Sequence, residues 1–165
     1  MTELLANIEK YINEHFHGEL IRAETLYDFP VITIQHTHAH KVLKTLKEDP
    51  EWNFHFLTDL TGMQTEDEKH LGVIYHLHNM QKNIRLRVKT FFDINKPEIE
   101  TVTDIWPAAN WMERETYDFF GIRFIGHPNL KRILNVDEMD IYPLRKEYPL
   151  EDQTREDKDD KMFGR

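Results

Sequence analysis

The sequence predicts a single α+β domain. Some segments repeat apolar residues every three or four positions, which is typical of an amphipathic helix, and others alternate apolar with polar residues, which is typical of a half-buried strand. The strongest of these signals is a hairpin over residues 73–92. With 165 residues, 39% of them hydrophobic, the chain can build one core, whereas two domains would be cramped.

The first predicted element is an amphipathic helix. Thr2 is placed to cap its start, and Gly18 is placed to end it. The apolar residues between them recur at helical spacing and define an inward face: Leu4, Leu5, Ile8, Tyr11, Ile12 and Phe16. Two strands follow, over residues 20–26 and 31–35, and Pro30 restricts the start of the second one to an edge or a bulge.

A second helix and a third strand are predicted next. Thr37 is placed to cap the helix, which must finish near Glu48 because Pro50 disfavours helical geometry in the residue before it. Its inward residues are expected to be Val42, Leu43 and Leu46. Residues 52–60 then predict a strand with Phe54, Phe56 and Thr58 on one side.

The hairpin pairs residues 73–78 with residues 84–92. One face of it is apolar and carries Val73, Tyr75, Leu77, Ile84, Leu86 and Val88. The opposite face carries a basic stripe, which we define as Arg85, Arg87 and Lys89. The stripe is open to two interpretations, a face exposed to water or a surface for an acidic partner.

A third helix is predicted from Trp111, and Gly121 is placed to end it in a left-handed conformation. Its spacing predicts a shared apolar face formed by Trp111, Met112 and Phe119, with the carboxylate of Glu115 among them. Such a carboxylate requires partial exposure or a cationic partner.

The other charges of this helix are close together in sequence. Arg114 and Asp118 lie four residues apart and can pair, although an exposed pair of this kind stabilises a helix by only about 0.3–0.5 kcal/mol. Glu113 and Glu115 point about 200° apart on a helix, so the two carboxylates cannot share a substrate. Either the charges form a solvated helix surface, or they belong to a network between subunits.

Residues 1–134 are predicted to form the domain, and residues 135–165 an extended tail that docks on a partner. Gly126 and Pro128 predict a turn before a short helical turn at residues 130–134. Two prolines within residues 142–150 exclude a regular helix, and residues 151–165 are mostly charged. The tail is therefore expected to become ordered against another protein, with Met162 and Phe163 as candidate anchors.

Composition excludes several classes of function. The net charge of −9 argues against a nucleic-acid-binding protein that works by neutralising phosphates. The chain has no cysteine, which excludes disulfides and cysteine-ligated zinc or iron–sulfur clusters. We find no run of eighteen apolar residues and no basic region at the N-terminus, so we expect a cytoplasmic protein that meets a membrane only through partners. The lack of a glycine-rich phosphate loop argues against a nucleotide-binding fold.

The ten histidines raise the question of a metal site. His36, His38 and His40 alternate along the chain, as do His76 and His78, and histidines two apart on a strand face the same way. A helix cap at Thr37 would separate the first group, and no matching carboxylate or cysteine set accompanies either group. We therefore expect no metal ligands and no catalytic or cofactor-binding residue in this chain.

A long signature begins at Glu113. It consists of Glu113-Arg114-Glu115, Asp118-Phe119-Phe120-Gly121-Ile122, Phe124, Gly126-His127-Pro128, Leu130 and Arg132-Ile133-Leu134. This signature resembles that of the C subunit of NADH-quinone oxidoreductase, respiratory complex I, a family that also includes subunits of membrane-bound hydrogenases. Segments before and after it also match in family order, whereas residues 135–142 depart from the family pattern.

The resemblance implies a two-layer α+β fold, with helices packed on one side of a mixed, mostly antiparallel sheet. It implies an accessory subunit of the peripheral arm, on the cytoplasmic side of the cell membrane, that docks on subunits D and B. NADH, FMN, iron–sulfur clusters and quinone would be held by partner subunits, in an enzyme that couples electron transfer to ion translocation. The implied docking residues are Glu113, Arg114, Glu115, Asp118, Gly121, His127, Pro128, Leu130, Arg132, Pro143, Leu144 and Arg145.

Two alternatives to this function are kept. One is the equivalent subunit of a membrane-bound hydrogenase, and the other is a histidine-based metalloenzyme. Under the docking interpretation, we expect Arg114→Ala to impair assembly more than the stability of the isolated chain.

Overall fold

A computed structural model of the chain describes residues 2–148, and a five-stranded sheet forms its centre. The strands are β1 (Leu20–Leu26), β2 (Phe29–Gln35), β3 (Phe56–Gln64), β4 (His70–Asn79) and β5 (Ile84–Asp93). Their spatial order is β1-β2-β5-β4-β3, and every neighbouring pair is antiparallel except the parallel pair β2 and β5. The predicted mixed, mostly antiparallel sheet is confirmed.

Three helices and a small second sheet complete the described part. The helices are α1 (Thr2–His15), α2 (Ala39–Glu48) and α3 (Ala109–Phe120). Two three-residue strands, β6 (Glu98–Glu100) and β7 (Arg123–Ile125), pair in parallel on either side of α3 in sequence. The sequence did not predict this pair, because three residues are too few for alternation to be visible. None of the helices between residues 2 and 148 is long and apolar enough to cross a membrane.

One face of the sheet holds the core. A single row of side chains crosses all five strands on this face, in the order Ala23, Ile32, Val88, Tyr75 and Leu60. Buried residues of α1, α2 and α3 belong to the same apolar cluster. The α+β fold with helices on one side of the sheet is therefore confirmed.

The first two strands join through a tight turn. Tyr27 and Asp28 both have positive φ angles, of 50° and 63°, which suits the two-residue turn of a hairpin. The second strand therefore begins at Phe29 and not at Val31 as predicted. Pro30 pairs only towards β1, since the ladder to β5 starts at Val31.

The second helix is present, but Thr37 does not cap it. Residues His36–His38 form a single 3-10 turn that leads directly into α2, and the Thr37 hydroxyl lies 3.1 Å from Nδ1 of His38. The predicted inward residues Val42, Leu43 and Leu46 are all buried.

The third strand begins later than predicted and presents different residues to the core. The chain turns at Asn53, where φ is 40°, and Phe54 is buried before the strand starts. Phe56 is instead exposed, and the pairing with β4 shifts between Leu57 and Asp59. This irregularity turns Leu57 and Leu60 inward, so the prediction of Phe54, Phe56 and Thr58 on one side is wrong.

The end of the described chain contains no regular element. The predicted helical turn at residues 130–134 is absent, and the chain bends at residues 133–135 instead. Residues 143–148 form turns that pack on α3 and β3. The rest of the predicted tail, including Met162 and Phe163, lies outside the described residues, as does the side chain of Thr2.

Candidate partner-docking surface

Helix α3 turns three of its charges to the interior and its tryptophan to the outside. Glu113 and Asp118 are completely buried, and Arg114 is nearly so. Trp111 is 64% exposed, and Glu115 is also exposed. The face shared by Trp111, Glu115 and Phe119 is therefore only partly buried, which is the first of the two alternatives left open for the Glu115 carboxylate.

The helix packs on β3 through a glycine. A Cβ atom on Gly62 would lie only 2.6 Å from the ring of Phe120, so the absent side chain leaves room for this aromatic residue. Thr116 meets the same position. The close approach explains why small and polar side chains share the inner face of α3 with Phe120.

Asp118 organises the chain that follows the helix. Its carboxylate accepts hydrogen bonds from the backbone N–H groups of Ile133, Leu134 and Asn135 at 2.8–3.1 Å and from the Asn135 amide at 3.0 Å. Nη1 of Arg132 completes a buried ion pair at 2.7 Å. Burial alone would raise the pKa of Asp118, but these donors outweigh burial and hold it well below its ordinary value.

Arg114 does not pair with Asp118, although the spacing of the two residues allows it. Its Nε and Nη2 atoms donate to the carbonyl oxygens of Lys131 and Arg132, each at 3.1 Å. Its guanidinium lies 4.9 Å from the centre of the Trp111 ring. Arg114 therefore holds the segment after β7 against α3 by hydrogen bonds, and its guanidinium packs against the Trp111 ring.

This geometry changes the expected effect of Arg114→Ala. Truncation would remove two part-buried hydrogen bonds from a charged donor, a kind of bond that contributes about 1.5–3 kcal/mol. We therefore expect both the unfolding free energy of the isolated chain and its assembly to fall, measured by denaturant titration and by recovery in the complex. Arg114→Lys keeps the charge and one donor, so its loss of stability should be smaller; equal losses would contradict this role.

The last four carbonyl groups of α3 are all satisfied, although a helix end leaves such groups without internal partners. The donors are the N–H of Gly121 to Tyr117, Nη1 of Arg132 to Asp118, the N–H of Leu144 to Phe119, and Nε of Arg145 to Phe120. Cationic donors at this end also suit the helix dipole. Residues 132–145 thus supply the hydrogen-bond donors for three of the four terminal carbonyl groups of α3.

Tyr142 closes this cap. The centre of its ring lies 5.2 Å from the central guanidinium carbon of Arg132 and 4.7 Å from that of Arg145. Gly121 has a φ of +71° as the predicted left-handed residue, and a Cβ there would lie 2.5 Å from the Tyr142 ring. Two independent features therefore favour glycine at this position, the positive φ angle and the lack of space for a side chain.

Glu113 is buried without a cation. Its carboxylate accepts hydrogen bonds from the Thr101 hydroxyl at 2.5 Å and the Val102 N–H at 2.7 Å. No ion pair forms at Glu113 within residues 2–148. Burial outweighs both hydrogen bonds and raises its pKa to about 7.

This raised pKa makes stability depend on pH. Glu113 favours folding while it is protonated, and that contribution is lost as the pH rises from its ordinary value of 4.5 through about 7. At about 1.4 kcal/mol per pH unit, the loss in unfolding free energy amounts to roughly 3.5 kcal/mol. Glu113→Gln keeps the hydrogen-bonding shape, so it should match the wild type near pH 4.5 and exceed it in unfolding free energy at pH 8.

Glu115→Gln is the matched control, because this carboxylate is exposed two residues away. Denaturant titrations of both variants between pH 4.5 and 8 test the assignment. Parallel pH profiles for wild type and Glu113→Gln would contradict a neutral Glu113.

An exposed apolar surface lies over this framework. We define the docking surface as Trp111, Glu115, Phe119 and Leu144. Leu144 is 47% exposed, and a cavity of about 340 Å³ opens between α3 and β3, with Glu115, Phe119 and Leu144 in its lining. Exposed large apolar residues grouped around one charge are typical of protein–protein contacts.

A model of the family described as respiratory-chain NADH dehydrogenase, 30 kDa subunit, matches residues 32–154, which is more than half of the chain. The chain belongs to this family. Among its relatives are proteins named as the C subunit of NADH-quinone oxidoreductase. Those of Chelativorans sp. (strain BNC1) and Citrifermentans bemidjiense are each 37% identical, over 91% and 88% of this chain and 75% and 89% of the relatives.

Two solved structures resemble this member of the 30 kDa subunit family. One is a chain of the membrane-bound sulfane sulfur reductase, an archaeal respiratory membrane complex, with a TM-score of 0.73 and 27% identity over 88% of this chain and 85% of that one. The other is a trypsin-resistant fragment of Nqo5, with a TM-score of 0.62 and 26% identity over 74% of this chain and 98% of the fragment.

The residues predicted for docking divide by depth. Buried are Glu113, Arg114, Asp118 and Gly121. Half-buried are His127, Leu130, Arg132, Pro143 and Arg145. Exposed are Glu115, Pro128 and Leu144. Within residues 2–148, the buried members Glu113, Arg114 and Asp118 have polar contacts to the chain itself.

His127 also has a role inside the chain. Its Nδ1 accepts from the N–H of Asn129 at 3.0 Å, and its Nε2 lies 3.0 Å from the carbonyl oxygen of Asn110. The tautomer with hydrogen on Nε2 satisfies both contacts. His127 therefore holds the turn after β7 against the start of α3.

The residues predicted for docking did not include two members of the docking surface, Trp111 and Phe119, for which the sequence predicted only a shared apolar face. Their spacing is that of a buried face, and periodicity alone does not say on which side of a helix the core lies. The sequence did contain a signal for this orientation, namely the three neighbouring charges Glu113, Arg114 and Asp118. Residues later in the chain offer these charges many hydrogen-bonding partners, which allows the charged side of α3 to be buried.

The histidines do not assemble. The ring of His36 packs against Phe92, His38 pairs with Glu19 at 2.9 Å, and His40 pairs with Asp104 at 3.0 Å. Between residues 2 and 148 no three metal-binding side chains group together. The three alternating histidines thus contact different partners and do not form one ligand set.

Proposed function

We propose that this chain is an accessory subunit of the peripheral arm of NADH:quinone oxidoreductase, respiratory complex I. The observation that carries the proposal is the docking surface. Its exposed Trp111 contacts the nearly buried Arg114, and the segment that carries its exposed Leu144 is hydrogen-bonded to the end of α3. Membership of the 30 kDa subunit family supports a respiratory-chain NADH dehydrogenase as the assembly in which this surface would be used.

The residues of the signature would then have two roles. Glu115, Phe119 and Leu144, with Trp111, would touch a partner directly. Asp118 and Arg114 would hold this surface in place. The remaining predicted docking residues, Gly121, His127, Pro128, Leu130, Arg132, Pro143 and Arg145, would shape the adjoining turns, and Glu113 would anchor the loop before α3.

The proposed partners are subunits D and B, with the tail beyond Tyr148 extending the contact. NADH, FMN, iron–sulfur clusters and quinone would be bound by the partner subunits, and the chain itself would be non-catalytic. The absence of cysteine supports this division, because this chain cannot supply thiolate ligands to a cluster. The complex would lie with this arm on the cytoplasmic side of the membrane and couple quinone reduction to ion translocation.

Affinity purification of the tagged chain from its native membranes tests the proposal. We expect the quinone-site and terminal iron–sulfur subunits to copurify, and we expect the preparation to oxidise NADH with a quinone acceptor. Recovery of the chain without other subunits would overturn the proposed function.

The resemblance to the sulfane sulfur reductase chain, with its TM-score of 0.73, supports a second candidate. In that case, the chain would occupy the same structural position in a related membrane-bound reductase or hydrogenase. The purified complex would then contain the same kind of neighbours but would not oxidise NADH.

A further inference from the structure

The sheet face away from the helices carries the basic stripe of Arg85, Arg87 and Lys89. The pairing of β4 with β5 places His78 opposite Arg85, His76 opposite Arg87 and Ile74 opposite Lys89. These residues alternate with the inward-facing row that contains Tyr75 and Val88. The stripe therefore lies on the outer face of the sheet, on the side opposite α1, α2 and α3.

The three cations have no acidic partner within residues 2–148. The ion pairs there involve other cations. Of the carboxylates on the same face, Glu24 is paired with Arg22 at 2.7 Å, and Asp59 and Asp93 form no ion pair with the stripe. The chain as a whole has a net charge of −9, so this group of unpaired cations is a local exception. A surface of this kind attracts an acidic partner.

Two polar atoms on this face are buried without a hydrogen-bond partner in the described chain. They are Nε of Arg87 and Nε2 of His78. Both atoms are already covered by the chain, so a partner would reach Arg87 only through its terminal nitrogens. The Arg87 guanidinium lies 5.1 Å from the centre of the Phe29 ring, a contact that limits its motion.

His76 lies between the stripe and β3. Burial and the positive charge of Arg87 lower the pKa of His76, against the opposing effect of Asp59. His76 is therefore neutral at physiological pH, and the positive charge of the face comes from the three cations of the stripe.

We propose that the outer face of the sheet binds an acidic segment of a partner subunit, whose carboxylates meet Arg85, Arg87 and Lys89. This rests on the proposed function, because it assigns a second contact to a chain that is already a subunit. The helices and the docking surface lie elsewhere, so the two contacts are separable by mutation.

Two other occupants fit less well. A second copy bound by a twofold axis would set this face against its own equivalent and bring like charges together. Residues 149–165 of the same chain contain the cations Arg155, Lys158, Lys161 and Arg165 among their carboxylates, so they offer little net negative charge.

Carbodiimide coupling of the purified native complex tests the proposal, because it joins a lysine amine directly to a carboxylate in contact with it. We expect mass spectrometry to find Lys89 linked to an aspartate or glutamate of another subunit. Lys89→Arg keeps the charge without an amine and should lose this product, whereas Arg85→Lys should add a second link to the same segment. Links from Lys89 only to its own chain or to a second copy, or no link at all, would overturn the proposal.

Charge reversal gives an independent measurement. Arg85→Glu combined with Lys89→Glu should reduce recovery in the complex at least tenfold in competition with wild-type chain. The matched control is Lys44→Glu with Lys96→Glu, two exposed lysines for which no side-chain bond is present in the described chain. Equal recovery of both double variants would reject the outer-face contact while leaving the proposed function intact; failure of the wild type to copurify would reject the proposed function itself.

Discussion

Asp118→Ala is expected to cost about 3–5 kcal/mol of unfolding free energy, the range for removing one partner of a buried ion pair. The substitution leaves the Arg132 guanidinium and three backbone N–H groups without the carboxylate that joins them. For a chain of this length, the melting temperature should fall by roughly 10 °C. Denaturant titration and calorimetry of the isolated chain measure both quantities.

Asp137→Ala is the control for this loss, since Asp137 is exposed and has no side-chain bond in the described chain. It should change stability by less than about 0.5 kcal/mol. The pKa of Asp118 is depressed, so its contribution is present above its ordinary value of 3.8 and is lost as the pH falls further. The gap between wild type and Asp118→Ala should therefore narrow in acid, and a constant gap would contradict the assigned network.

Trp111→Ala is expected to weaken assembly by at least about 30-fold, which corresponds to a hot-spot loss of about 2 kcal/mol. The side chain is 64% exposed in the isolated chain, so its removal costs little stability beyond its contact with Arg114, about 0.5–1 kcal/mol. Competition with wild-type chain for incorporation into the complex measures the effect on binding.

Tyr27→Ala is the control for the loss of a surface aromatic. Tyr27 is fully exposed in the turn between β1 and β2, away from the docking surface. Its substitution should leave incorporation unchanged. Equal incorporation of Trp111→Ala and wild type would show that the outer face of α3 is not a contact, whatever the family to which the chain belongs.

The fold was largely predictable because its main signals are local. Strict alternation around a short loop indicates the hairpin of β4 and β5, and helical spacing before a glycine or a proline indicates α1 and α2. The failures have physical causes that are not local. The start of β3 depends on a turn at Asn53 and on Phe54 entering the core first, and neither is visible in alternation.

The orientation of α3 was not predictable from its own residues. Asp118 can be buried only because residues 132–135 supply hydrogen-bond donors to its carboxylate. Arg114 can be buried only because the carbonyl groups of Lys131 and Arg132 accept hydrogen bonds from its guanidinium. Helical spacing alone pairs Arg114 with Asp118, although both have their partners downstream. The position of that downstream segment determines which side of the helix faces the core and leaves Trp111 exposed.

The most direct test of the central claim uses the fact that the chain has no cysteine. Single cysteines at Glu115→Cys and Leu144→Cys on the docking surface, with Lys44→Cys on α2 as control, can be labelled with a maleimide in the isolated chain and in the complex. We predict similar labelling rates for all three in isolation, and a fall of at least tenfold on assembly for the two docking positions only. Equal labelling of Glu115→Cys and Lys44→Cys in the intact complex would contradict the account.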